Sequence, residues 1–71
     1  MAKSVYKVIE LIGTSPKSWE EAAANAVATA SKSLRDLRIA EVVEMDMQIE
    51  EGKVVNYRTK INLSFKYEGS G

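Results

Sequence analysis

The sequence predicts an α+β chain in the order β-α-β-β, a three-stranded antiparallel sheet wrapped on one helix. Three observations predict it. A run that is apolar on both faces, Val5 to Ile12, stops at Gly13-Thr14-Ser15-Pro16. An alanine-rich stretch with helical spacing follows. Two long strand-like runs then flank Glu50-Glu51-Gly52. A helical crossover leaves the first two strands parallel to each other, and a hairpin turns the third against the second. Placing the third strand in the middle makes every pairing antiparallel. The 71 residues form one domain, 1–71, with flexible ends expected at 1–3 and 68–71.

The first strand is read over Tyr6 to Ile12. Ile9 and Leu11 face one side, with Val5, and Tyr6, Val8 and Ile12 face the other. A strand apolar on both faces is buried on both. One helix covers only one of them, so another subunit is expected on the second. Two helix starts are open: Ser15 as N-cap with Pro16 at the first helical position, or the capping box Ser18-Trp19-Glu20-Glu21. Trp19, Ala22, Ala23, Ala26, Val27, Ala30 and Leu34 then fall on one stripe. Its alanines let the helix lie close to the sheet. Trp19 lies on that stripe and reads as core rather than as a stacking platform.

Ile39 to Ile49 and Lys53 to Tyr67 read as the second and third strands. A three-residue turn, Glu50-Glu51-Gly52 with Gly52 left-handed, sets Ile49 opposite Lys53. Met47, Met45 and Val43 then meet Val55, Tyr57 and Thr59, and pack on the helix with Ile61, Leu63 and Phe65. The other face carries Asp46 beside Asn56, Glu44 beside Arg58 and Val42 beside Lys60. Glu41 falls on the wrong side in this register, which predicts a bulge or an intersubunit role.

Composition narrows the function. Ten basic residues balance ten acidic ones, which argues against non-specific binding to nucleic acid or a membrane surface. No apolar run approaches the roughly 20 residues of a membrane span. Met1-Ala2-Lys3-Ser4 leads straight into a strand with no signal-peptide pattern, so the expected location is cytoplasmic. There is no cysteine and no histidine, which removes disulfides, thiolate sites and imidazole chemistry. A domain this small buries only about 60% of its unfolded surface, and oligomerisation is the remaining source of stability.

The chain carries no nucleophile–base pair, and Gly13-Thr14-Ser15 is too short for a phosphate loop. The expectation is a protein that is not an enzyme. Thr14, Ser15 and Ser18 read as capping residues. Met45 and Met47 read as core. Glu44 and Asp46, two apart, share a strand face and offer oxygens to a hard cation such as Ca²⁺. Two carboxylates are too few for a complete site, so symmetry-related copies would supply the rest. The plainer reading is a weak surface pair of Glu44 with Arg58.

Tyr6-Lys7-Val8-Ile9-Glu10-Leu11-Ile12-Gly13-Thr14-Ser15-Pro16, the alanine-rich helix, Ala40-Glu41-Val42-Val43 and Leu63-Ser64-Phe65-Lys66-Tyr67 together resemble the dodecins. The resemblance runs from residue 5 to residue 67 essentially without gaps. It implies a hollow homododecamer of β-α-β-β subunits that stores or sequesters a ligand, in most members a flavin. It also implies the flavin-pocket positions Ile39, Asp46 and Arg58. Flavin-binding dodecins place Trp at the position of Ile39 and Gln at that of Arg58, and many have Arg at that of Asp46. An aromatic platform contributes about 1–3 kcal/mol per stacked ring, so this chain is expected to bind flavin (FMN or riboflavin) weakly or not at all. Ile39, Arg58, Glu44 and Asp46 resemble a divergent, calcium-dodecin-like branch. The metal candidates are Glu44, Asp46 and, more weakly, Glu10. The expected partners are copies of the chain and a small molecule or cation, with Ca²⁺ the cation. The alternatives are a flavin-storage dodecin with an altered pocket and a structural cage without a ligand of its own.

Overall fold

The computed structural model describes residues 4–67. The ends 1–3 and 68–71, expected to be flexible, lie outside the described residues. Four elements follow in the predicted order: β1 (Tyr6–Ser15), α1 (Trp19–Ala30), β2 (Leu37–Glu50) and β3 (Lys53–Lys66). β3 is the central strand and pairs antiparallel with both neighbours.

Of the two possible helix starts, the chain uses Ser18. Its hydroxyl accepts the Glu21 backbone N–H at 3.0 Å, relieving one of the unpaired donors of the first turn. Ser15 instead closes β1. It is buried, donates to Glu21 Oε1 at 2.9 Å and accepts the Lys17 backbone N–H at 3.0 Å. The Glu21 carboxylate, which a capping box would turn back onto the N-cap backbone, is engaged by Ser15.

Ala22, Ala26 and Ala30 form the buried stripe of α1. Ala26 and Ala30 meet Ile61 and Leu63 of β3, with Ile9 and Leu11 of β1 and Val27 packed around them. Small side chains on both surfaces bring helix and sheet close together. Thr59 is also buried, and donates to the Trp19 carbonyl at 2.9 Å.

The hairpin register differs from expectation, in a way that preserves the faces. The turn has two residues, with Glu50 opposite Lys53. Glu51 and Gly52 both have positive φ, 52° and 77°, the conformation of a type I′ turn. That change alone would exchange the two faces of the hairpin. A bulge between Gln48 and Ile49 adds a second one-residue shift and restores them. Met47, Met45, Asp46 and Glu44 therefore pair with Tyr57, Thr59, Arg58 and Lys60. The expected neighbours Glu44 and Arg58 are displaced by one pair of positions. The bulge predicted from Glu41 is present, between Val42 and Glu44. It moves Val42 from the expected open face to the helix side, opposite Ile61. It leaves Glu41 opposite Asn62 on the open face, and Val43 without a cross-strand partner.

Met45 and Met47 do not enter the core of the chain. They are 58% and 44% exposed. The reason is the helix's lateral position. It lies over β1 and β3 and barely reaches β2, the far edge strand. Every residue of β2 after Leu37 is exposed. The molecule measures 56 × 21 × 15 Å, with a radius of gyration of 14.8 Å, against about 11 Å for a compact chain of this size.

Candidate functional site

The sheet face turned away from the helix is the candidate site. Tyr6, Val8 and Ile12 of β1 are exposed there, as a two-faced first strand requires. β3 contributes Arg58, Lys60, Asn62 and Ser64, and β2 contributes Ile39, Glu41, Glu44 and Asp46. The face has two ends of different character.

One end is mixed. Ile39 lines one shallow hollow with Tyr6, Arg38 and Ser64 and the next with Val8, Glu41, Asn62 and Ser64. It is 65% exposed and offers aliphatic surface but no ring for stacking.

The other end is charged. Arg58 holds Asp46 through two parallel bonds, Nε to Oδ1 at 2.7 Å and Nη2 to Oδ2 at 2.8 Å. This is the planar fork that guanidinium and carboxylate form best. The hydrogen bond from Arg58 holds the Asp46 carboxyl below its ordinary range, and Asp46 in turn raises Arg58. One pair along, Lys60 Nζ lies 3.2 Å from Glu44 Oε1. Its pKa is raised first by that hydrogen bond and also by the charge of Glu10. Glu10 sits opposite Asn62 on β1, so Lys60 on the central strand has an acidic residue on either side.

The structure therefore brings Asp46, Arg58, Glu44 and Glu10 to one end of the face. It does not bring Ile39 to them. Ile39 pairs with Ser64 and Asp46 with Arg58, six residues apart on β3, which is about 20 Å along a strand. A compact ligand bound at one end of this face does not reach the other.

A cation faces a similar limit. Ca²⁺ takes six to eight oxygens. Among the described residues no three acidic side chains gather as a metal site, and Glu44 and Asp46 each already carry a cationic partner. The carboxylates suit a hard cation by type, but a single chain does not form a calcium cage.

The chain matches the Dodecin family over residues 5–68. It belongs to that family. It is 54% identical over 63 residues to calcium dodecin of Mycobacterium tuberculosis, covering 89% of each chain. The crystal structure of that protein, described as calcium chelating with a novel calcium-binding site, superposes with a TM-score of 0.82, covering 96% of this chain and 97% of that one. Dodecin from Streptomyces coelicolor is 40% identical, with a TM-score of 0.92 over 99% of this chain and 100% of the other. The β-α-β-β chain with its three-stranded antiparallel sheet is thus the dodecin fold.

Trp19 has a role that its place on the apolar stripe did not reveal. It is half-buried. Its ring meets Tyr57 edge-on, with centroids 5.0 Å apart and planes at 72°. Its indole N–H donates to the Asp46 backbone carbonyl at 3.0 Å. Trp19 is thus a strut between the first residue of α1 and the strand segment that carries the charged pairs. The stripe showed its apolar contact, but only the bulged register puts Asp46 within reach of its N–H.

Among the described residues no helix is long and apolar enough to cross a membrane.

Proposed function

We propose that this chain is the subunit of a hollow homododecamer that binds or sequesters a small ligand or cation without catalysing a reaction. The cation is calcium, and flavin binds weakly or not at all. The observation that carries the reading is the open sheet face itself. It presents Glu44 and Asp46 at one end and aliphatic Ile39 at the other, on a strand that its own chain leaves bare.

Three facts support it. The chain is 54% identical to a protein named calcium dodecin. Its acidic side chains on the face come from two strands, Glu10 from β1 and Glu41, Glu44 and Asp46 from β2. Position 39 lacks the aromatic surface on which a flavin would stack. The residues that would meet the cation are Glu44 and Asp46, with Glu10 third. Bound calcium would join copies by their carboxylates and stabilise the assembly by mass action.

Two titrations test this. The melting temperature of the purified protein should rise with calcium chloride, and the rise should shrink in the Glu44→Ala/Asp46→Ala variant. Riboflavin fluorescence should be quenched only at high micromolar protein or not at all. Nanomolar quenching would overturn the weak-flavin reading in favour of a flavin-storage dodecin. An unchanged melting temperature at millimolar calcium would overturn the cation reading.

A further inference from the structure

Residue 46 is held from both faces of the sheet. On the open face, Arg58 takes both oxygens of the Asp46 carboxylate, at 2.7 and 2.8 Å. From the helix side, the Trp19 indole N–H donates to the Asp46 backbone carbonyl at 3.0 Å. Arg58 lies between Tyr57 and Thr59 on β3, and both of these neighbours contact Trp19. The Tyr57 ring meets the indole edge-on, and the Thr59 hydroxyl donates to the Trp19 carbonyl at 2.9 Å. Trp19, Asp46 and residues 57–59 therefore close one loop of contacts through the sheet. We propose that Trp19 is a positioning residue for the open face: it acts through the Asp46 backbone to hold the Asp46–Arg58 fork in place. This takes the open face as the ligand-binding face, as above. The test uses no ligand, so either reading can fail without the other.

Three features carry it. β2 is an edge strand, bonded to β3 on one side only. Its pairing shifts at Val42/Glu44 and again at Gln48/Ile49, on either side of residue 46, so the ladder fixes this segment less firmly than it fixes a regular strand. The helix barely reaches β2, and the Trp19 N–H bridges that gap from a fixed end, since its carbonyl is held by the buried Thr59. The fork itself needs guanidinium and carboxylate in one plane, and a small rotation of the strand at residue 46 breaks one of its two bonds. The pair is exposed and weak by itself, which leaves its geometry to the backbone that carries it.

The test is the exchange with water of two side-chain N–H groups, measured by NMR on the purified 71-residue protein at mildly acidic pH. Trp19 is the only tryptophan, so its indole signal is unambiguous. Trp19→Phe keeps an aromatic ring and removes the donor. The Arg58 Nε–H, on the opposite face, should then exchange about fivefold faster, the ratio that one hydrogen bond of ordinary strength is worth. Arg58→Gln is a surface substitution that leaves Trp19 untouched, and it should speed the indole N–H by a similar factor. The backbone amides of Ile9 and Leu63, in the β1–β3 pairing, should keep their wild-type rates in both variants. An indole N–H that Arg58→Gln does not move would overturn the link, even where Trp19→Phe fails to fold. An Arg58 Nε–H that a folded Trp19→Phe does not move would overturn it as well. Equal acceleration at Ile9 and Leu63 would show a general loosening and overturn the positioning role.

Discussion

Replacing Gly13 with alanine is expected to unfold the chain. A Cβ at this position would lie 1.9 Å from the Ala22 carbonyl oxygen, 2.9 Å from its carbon and 3.0 Å from the Ala26 Cβ. Two of these atoms are helix backbone, so no rotamer change relieves the clash. The helix must move outward by roughly 1 Å or more, which opens the alanine contacts that form the core. Overpacking commonly costs about 1–3 kcal/mol and can cost more, and here the upper end applies. A chain of this length has roughly 4–10 kcal/mol of stability in total. The expected readout in circular dichroism is a large fall in melting temperature, or loss of the cooperative transition. Ala26→Gly in the same background should recover only part of it, because Ala22 is the closer obstacle.

The second large effect is expected on the bare side of the hairpin. Met45→Lys/Met47→Lys places charges where the isolated chain exposes 58% and 44% of the two methionines. In a monomer this is a surface substitution, worth about 0.5 kcal/mol or less. In an assembly that covers the strand it removes roughly 2 kcal/mol per buried side chain in every copy and adds buried charges. The pair of substitutions should therefore dissociate the assembly and lower the melting temperature. A variant that sediments and melts like wild type would place the subunit contacts elsewhere.

The fold was readable in the sequence because its signals are local. Gly13-Thr14-Ser15-Pro16 ends a strand, Ser18 opens a helix, and the alanine spacing names the buried stripe. The two faces of β1 were readable too, since exposed Tyr6, Val8 and Ile12 alternate with partly buried Ile9 and Leu11, although Val5, expected on the covered side, is also exposed, before the strand begins. The pairings across the hairpin were not. They depend on a two-residue turn and a bulge at Gln48/Ile49, each a one-residue shift with no residue-type signature here. Glu51 in particular is not a residue that type I′ turns favour. Because the two shifts restore the faces, Glu44 and Asp46 were assigned to the correct side but to the wrong partners, while Glu41 reaches the open face only through the second bulge. Asp46 meets Arg58 and Glu44 meets Lys60. The methionines were read as core because their period fits the helix-facing side. Their exposure follows from the helix lying over β1 and β3 rather than over the edge strand β2, which a residue pattern does not register.

In the proposed assembly each chain completes its core and its site from its copies. Sedimentation velocity of the purified 71-residue protein at micromolar concentration measures this, and a single closed species near twelve times the 7.9 kDa chain mass is expected. A stable, cooperatively folded monomer at 7.9 kDa would contradict it.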